Sequence, residues 1–261
     1  QKTVTKTVKK YGNSGGVYLP SSWVGGEVEV SLTHRPPKPE IDLPLAFADR
    51  MEHIISILIY GSYARNDQTG ESDIDVIVVT DAHAKDMKIP AQLKGMNYDI
   101  RIMNREELKK AVEGDALFNK SLENSRAIFN GSFLDELKPP KTRKNLEGRI
   151  SLAKSSLEIT KSIFEMGGDN AALVYPVIMR VKEMLLIKCI LENREFSLKL
   201  LEDTMRKKGV SKSDFRKLIG VYRAVRDGKK PVKYEFGEQV FRKLFELLGG
   251  LIDDAEKKEK A

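Results

Sequence analysis

The chain has 261 residues, 41% of them hydrophobic and 32% charged, with a formal charge of +7. That balance describes a globular protein rather than a disordered one, and the length allows two or three domains. A single cysteine, Cys189, excludes an intrachain disulfide framework and argues against a thiolate metal site.

No apolar run approaches the ~18 residues of a membrane span. The first residues lack the apolar core of a secretory signal, so a cytoplasmic chain is expected. Basic residues outnumber acidic ones in 1–40 and in 144–261, whereas acidic residues lead in 41–143. Basic flanks suit polyanionic partners. Two proline-rich stretches, Pro36-Pro37-Lys38-Pro39 and Lys138-Pro139-Pro140-Lys141, read as linkers because proline stiffens the chain and removes donors. They predict three domains, at 1–35, 41–138 and 144–258.

In chain order, residues 3–9 alternate, 11–16 form a Gly-rich turn, and 17–20 and 27–32 read as further strands. This is a small all-β unit, too short to bury an adequate core alone, and it should form a homodimer or dock. The middle region mixes element types. A helix end is expected near 50–55, strands at 57–60, 74–80, 98–103 and 127–129, a short helix from Tyr63, and helices at 105–113 and 115–124. That pattern predicts an α/β (α+β) domain around a small mixed sheet. Helical periodicity over 146–166, 171–191, 197–207, 213–225 and 237–257 predicts an all-α bundle with Cys189 in its core.

The chemistry concentrates in 61–79. Gly61-Ser62 ends a strand where glycine permits close backbone approach to a phosphate and the serine hydroxyl can add a bond. Asp73 and Asp75 stand one residue apart at the head of the apolar run Ile74–Thr80, so both side chains point to one face. Asp99, in Asn97-Tyr98-Asp99-Ile100-Arg101-Ile102-Met103, can meet them if its strand lies alongside. Three carboxylates together can hold two Mg²⁺ ions about 3.5–4 Å apart, one orienting a triphosphate and one beside an acceptor hydroxyl.

Gly61-Ser62-Tyr63-Ala64-Arg65, followed by Ser72-Asp73-Ile74-Asp75 and Val76-Ile77-Val78-Val79, resembles the signature of the DNA polymerase β-like nucleotidyltransferase superfamily. The likeness is strongest to minimal and kanamycin nucleotidyltransferases, over about 45–135. It implies that Gly61, Ser62, Arg65 and Ser72 bind nucleotide and that Asp73, Asp75 and Asp99 are both metal ligands and catalytic residues. It further implies NTP, ATP above the others, as the substrate. Asn66 departs from the pattern, since many members have glycine after the arginine.

The bundle resembles the HEPN-type helical domains that accompany such enzymes, although Arg223-Ala224-Val225-Arg226-Asp227-Gly228 offers no histidine for ribonuclease chemistry. Arg223 and Arg226 can instead help bind nucleotide or an acidic acceptor. Residues 4–20, with Trp23 and 27–30, resemble the AbrB/SpoVT swapped hairpin, which implies DNA contacts by Lys6, Lys9 and Lys10 or dimerisation alone.

Two functions follow. The first is transfer of NMP from NTP to an acceptor hydroxyl, on a protein side chain or a small molecule such as an aminoglycoside, with release of pyrophosphate. The second is a DNA-binding antitoxin or regulator whose middle domain senses nucleotide or neutralises a partner. Mobility shifts of DNA with the full chain and with a chain lacking 1–40 separate the two; no shift at low salt would count against the second.

Overall fold

The computed structural model describes residues 4–30, 37–66, 73–82, 87–137, 143–168, 170–226, 228 and 230–259. The sequence expectations at Ser72 and over the second proline-rich stretch, 138–141, lie outside them. The chain divides into two compact units, Gln1–Pro36 and Pro37–Ala261.

In the first unit, β1 (Lys9–Tyr11) and β2 (Ser14–Gly16) form an antiparallel hairpin. Gly12 turns it with φ +57°, a conformation that glycine adopts without penalty. Tyr11 and Tyr18 meet edge to face at 5.9 Å, and Trp23 is half-buried in a 3₁₀ turn at Ser21–Trp23. The expected strand over 27–32 does not form in its described part, and the longer strand over 3–9 shrinks to its last residue. Alternation specifies a strand only where one face has something to bury against. Here Val28 and Val30 stay exposed, as do Val4 and Val8.

The second unit's first helix is α1 (Pro39–Ala46), which opens on the last residue of the stretch expected to be a linker. Proline at the first helical position costs nothing, because its missing N–H would have no intrahelical partner. Asp42 accepts the Lys38 N–H at 2.8 Å and the Tyr98 hydroxyl at 2.8 Å, which ties the helix entry to the sheet. A 3₁₀ turn at Ala48–His53 leads into β3 (Ile54–Tyr60), longer than expected because Ile54 and Ile55 already pair or pack as strand. The short α2 (Gly61–Ala64) follows, then β4 (Ile74–Thr80) and β5 (Tyr98–Asn104).

An Asn104–Glu107 capping box starts α3 (Arg105–Gly114), and the Asp115 side chain caps α4 (Ala116–Leu122). β6 (Arg126–Phe129) and α5 (Ser132–Leu137) complete this part of the unit. The strands form one mixed sheet in the order β5-β4-β3-β6, with β4 and β5 parallel and the other pairs antiparallel.

Period two sorts the sheet into two buried faces. Ile57, Ile59, Val76 and Val78 pack with Leu43 and Phe47 on one face. Leu58, Tyr60, Ile77 and Val79 pack with Leu108, Val112, Leu122 and Phe133 on the other. Asp75 has the parity of Ile77 and Val79 and so belongs to the second face, at its open end.

The remaining helices are α6 (Leu146–Glu165), α7 (Asn170–Leu191), α8 (Leu198–Lys207), α9 (Lys212–Arg226) and α10 (Glu238–Glu259). Their shared core runs through Val174, Val177, Val181, Met184, Phe241 and Leu244, with α7 central, and Cys189 is buried as expected of an apolar thiol. Arg149 of α6 joins this bundle to the start of α4: it donates to Asp115 at 2.5 Å and to Glu183 of α7 at 2.8 Å. Among the described residues, no helix is long and apolar enough to cross a membrane.

Candidate active site

Strand register brings three acidic side chains together. Tyr60 faces Asp75 across the β3–β4 ladder, and Asp75 faces Asp99 across the parallel β4–β5 ladder. Asp73 lies one residue before β4. Asp73, Asp75 and Asp99 each offer an oxygen within 4.8 Å of the others, with the first two half-buried and Asp99 exposed. The site therefore forms where three strands of the sequence reading meet, and Asp99 arrives by the lateral pairing expected of its strand.

Electrostatics favour a cation there. Burial, then the neighbouring Asp73 and Asp99 charges, push the Asp75 carboxyl up to about 6. Three mutually repelling carboxylates with oxygen donors only match the preference of a hard divalent ion such as Mg²⁺, so the residues present fit a metal. Tyr60 lies beneath them, buried; desolvation and then the three carboxylates, against the opposing pull of Arg101, raise its hydroxyl to about 12. It therefore stays a neutral packing group, edge to face with Phe118 at 6.3 Å.

Gly61 has φ +69°, and a Cβ built on it would stand 2.1 Å from Asp75 Oδ2. Glycine is thus required twice, by the left-handed backbone and by the carboxylate lying against it. Ser62 and Arg65 are half-buried beside it in and just after α2. Asn66 also takes a left-handed conformation, φ +57°. Asparagine tolerates that region better than most residues other than glycine. Lys6, Lys9 and Lys10 are exposed in the separate N-terminal unit.

The bundle adds residues of opposite charge. Arg226, near the end of α9, donates to Asp73 at 3.2 Å. Lys182 of α7 donates to the Tyr222 hydroxyl at 3.2 Å, with its Nζ 4.4 Å from the Tyr222 ring centroid. Tyr222 in turn stacks on Tyr175 at 5.4 Å. Burial, then Arg226, Arg223 and Arg65, lower the Lys182 ammonium to about 8. A cavity of about 490 Å³ opens here, lined in part by Arg65, Lys120, Arg180, Lys182, Phe196 and Tyr222. Sequence reasoning singled out Arg223 and Arg226 but missed Lys182 and Tyr222. The sequence signal for Lys182 was its place in Arg180-Val181-Lys182-Glu183, a charged cluster inside a helix otherwise suited to a core; Tyr222 had none.

The mixed sheet thus carries an acidic triad at its open end, beside a Gly-Ser turn. Residues 44–143 match the family model of the nucleotidyltransferase domain. Over 69 residues the chain is 38% identical to a protein of Methanocaldococcus jannaschii named a "putative protein adenylyltransferase". The match covers 26% of this chain and 54% of the relative, so the chain spans about half the length of that protein.

Proposed function

We propose that this protein transfers a nucleoside monophosphate from an NTP to an acceptor hydroxyl, releasing pyrophosphate. The observation that carries the reading is the Asp75–Asp99 ladder pairing, which gathers three carboxylates within 4.8 Å against Gly61. Gly61 and Ser62 hold the triphosphate, Gly61 by leaving its backbone open to close approach. Asp73 and Asp75 bind divalent metal, which supplies charge neutralisation of the phosphates and activation of the attacking oxygen. Asp99, the most exposed of the three, ligates metal and receives the acceptor's proton as its oxygen attacks the α-phosphorus. Arg65 adds a positive charge on the phosphate side.

The related archaeal protein's name supports an adenylyl donor such as ATP and a protein as acceptor. The test is incubation of native lysate with labelled ATP, CTP, GTP or UTP and Mg²⁺, following the label into protein, RNA and small-molecule fractions. ATP-derived label in the protein fraction with the wild type, and none with Asp99→Asn, is expected. Equal labelling by the two proteins, or no label in any fraction, sinks the reading.

A further inference from the structure

The edge of the sheet nearest the triad is free. β5 ends the order β5-β4-β3-β6, and among the described residues no strand pairs with its outer side. An edge strand offers a row of backbone N–H and C=O groups to any extended chain that runs alongside it. Asp99, the exposed carboxylate of the triad, stands on that strand. Its inner neighbour is Asp75 of β4, so an acceptor hydroxyl has the free edge as its approach.

Side-chain parity extends the site along β5. Asp99, Arg101 and Met103 share one face of the strand, about 7 Å apart in succession. Arg101 is exposed and, among the described residues, forms no ion pair. Arg101 and Met103 line a cavity of about 480 Å³ together with Ala111 and Phe118. Asp115 and Asn145 also line it, but both are engaged. Arg149 and the Leu117 and Phe118 N–H groups donate to the Asp115 carboxylate, and the Asn145 amide donates to the Gly114 carbonyl. What the cavity offers a visitor is an apolar floor and one cation, two residues along the strand from the catalytic carboxylate.

We infer that the acceptor is a protein segment that adds to β5 as an extended outer strand. Its hydroxyl-bearing residue lies opposite Asp99. An acidic residue two positions away lies opposite Arg101, and a large apolar residue four positions away on the same side enters the cavity beside Met103 and Phe118. The inference rests on the nucleotidyl-transfer reading above and names the acceptor class for it. Directly opposite residues on neighbouring strands have Cβ atoms about 4.5–5.5 Å apart, which brings the hydroxyl within reach of Asp99. Its oxygen bonds to the α-phosphorus as the bond to pyrophosphate breaks, and its proton passes to Asp99. Backbone pairing supplies affinity common to many sequences, and the side chains on the cavity face select among them.

The test gives the full chain Mg²⁺, labelled ATP, CTP, GTP and UTP, and peptide libraries with a serine, threonine or tyrosine fixed at the centre. Labelled peptides are then sequenced. Acidic residues should be enriched over lysine and arginine by about fivefold at two positions from the hydroxyl, on one side. Large apolar residues should be enriched at four positions on that same side. Arg101→Glu should reverse the charge preference at that one position and Arg101→Met should abolish it, with the apolar preference kept in both. Each preference is a ratio within one protein, so a change in overall rate does not enter it, and melting curves verify that the variants fold. Methylating alternate backbone nitrogens of a selected peptide should abolish labelling in one phase and spare it in the other, because only every second N–H faces β5.

A charge preference that is absent, or that Arg101→Glu leaves unreversed, overturns the docking. So does equal tolerance of both methylation phases, or labelling of lysate protein without labelling of any peptide. No label in peptide or lysate with the wild type overturns the transfer reading itself, which separates the two failures.

Discussion

Replacing Asp75 by asparagine should stabilise the metal-free protein while abolishing its activity. The side chain keeps its shape and loses its charge, and its new amide can donate to the Asp73 and Asp99 carboxylates beside it. Burial and those two neighbours raise the folded-state carboxyl from 3.8 to about 6. The difference corresponds to about 3 kcal/mol of unfavourable charge in the folded state, at ~1.4 kcal/mol per unit.

Below the unfolded value the carboxyl is protonated in both states and the charge costs nothing. The cost grows as pH rises from about 4 to about 6 and is complete above that. Thermal unfolding in EDTA between pH 4 and 8 measures it. Asp75→Asn should melt about 6–12 °C above the wild type at pH 7–8, at roughly 2–4 °C per kcal/mol for a chain of this size, with the gap closing toward pH 4. Saturating Mg²⁺ and NTP should reverse the order by stabilising the wild type alone. A variant that melts at or below the wild type at pH 7–8 without ligands, or a gap that does not narrow in acid, refutes the electrostatic account of the triad.

Two further outcomes test the same end of the molecule. Gly61→Ala should cost about 1–2 kcal/mol through its left-handed backbone, and its Cβ should push the Asp75 carboxylate off the triad, lowering NTP turnover about 100-fold or more; turnover within threefold of the wild type would contradict the requirement for glycine. Lys182→Met should raise the melting temperature at pH 7, because burial and three guanidiniums lower the ammonium to about 8. For this base the folded state is penalised below about 8 and relieved as pH rises toward the unfolded value of 10.5, so the variant's advantage should fade between those limits; an advantage that grows over that range would reverse the sign.

Much of this site was legible because its signals are local. Asp73 and Asp75 share a face by strand parity, and Gly61-Ser62 interrupts an apolar strand with two small residues. Asp99 needed one tertiary fact, pairing with β4; its alternating pattern marked a strand, and the structure supplied the parallel register. Other features depend on what packs where. The Pro36–Pro39 stretch reads as an interruption, yet Pro39 opens a helix because its entry is fixed by Asp42 reaching back to Lys38. Residues 27–30 alternate convincingly and form no strand, since no sheet offers them a ladder. Lys182 is invisible to periodicity, because its role comes from α9, some 40 residues later, laying Tyr222 against it.

β5 is an edge strand, and its pairing with β4 has a bearing on assembly. Docked one residue out of register, it would turn Asp99 into the sheet and present Ile100 or Tyr98 to the triad. Such a chain would retain most of its secondary structure and its helical bundle, and a spectroscopic measure of folding would pass it. It would lack the third carboxylate. Catalytic competence in this protein is therefore a sharper reporter of correct strand order than helicity or compactness, and an inactive preparation with a native-like circular dichroism spectrum should first be examined for a misdocked edge.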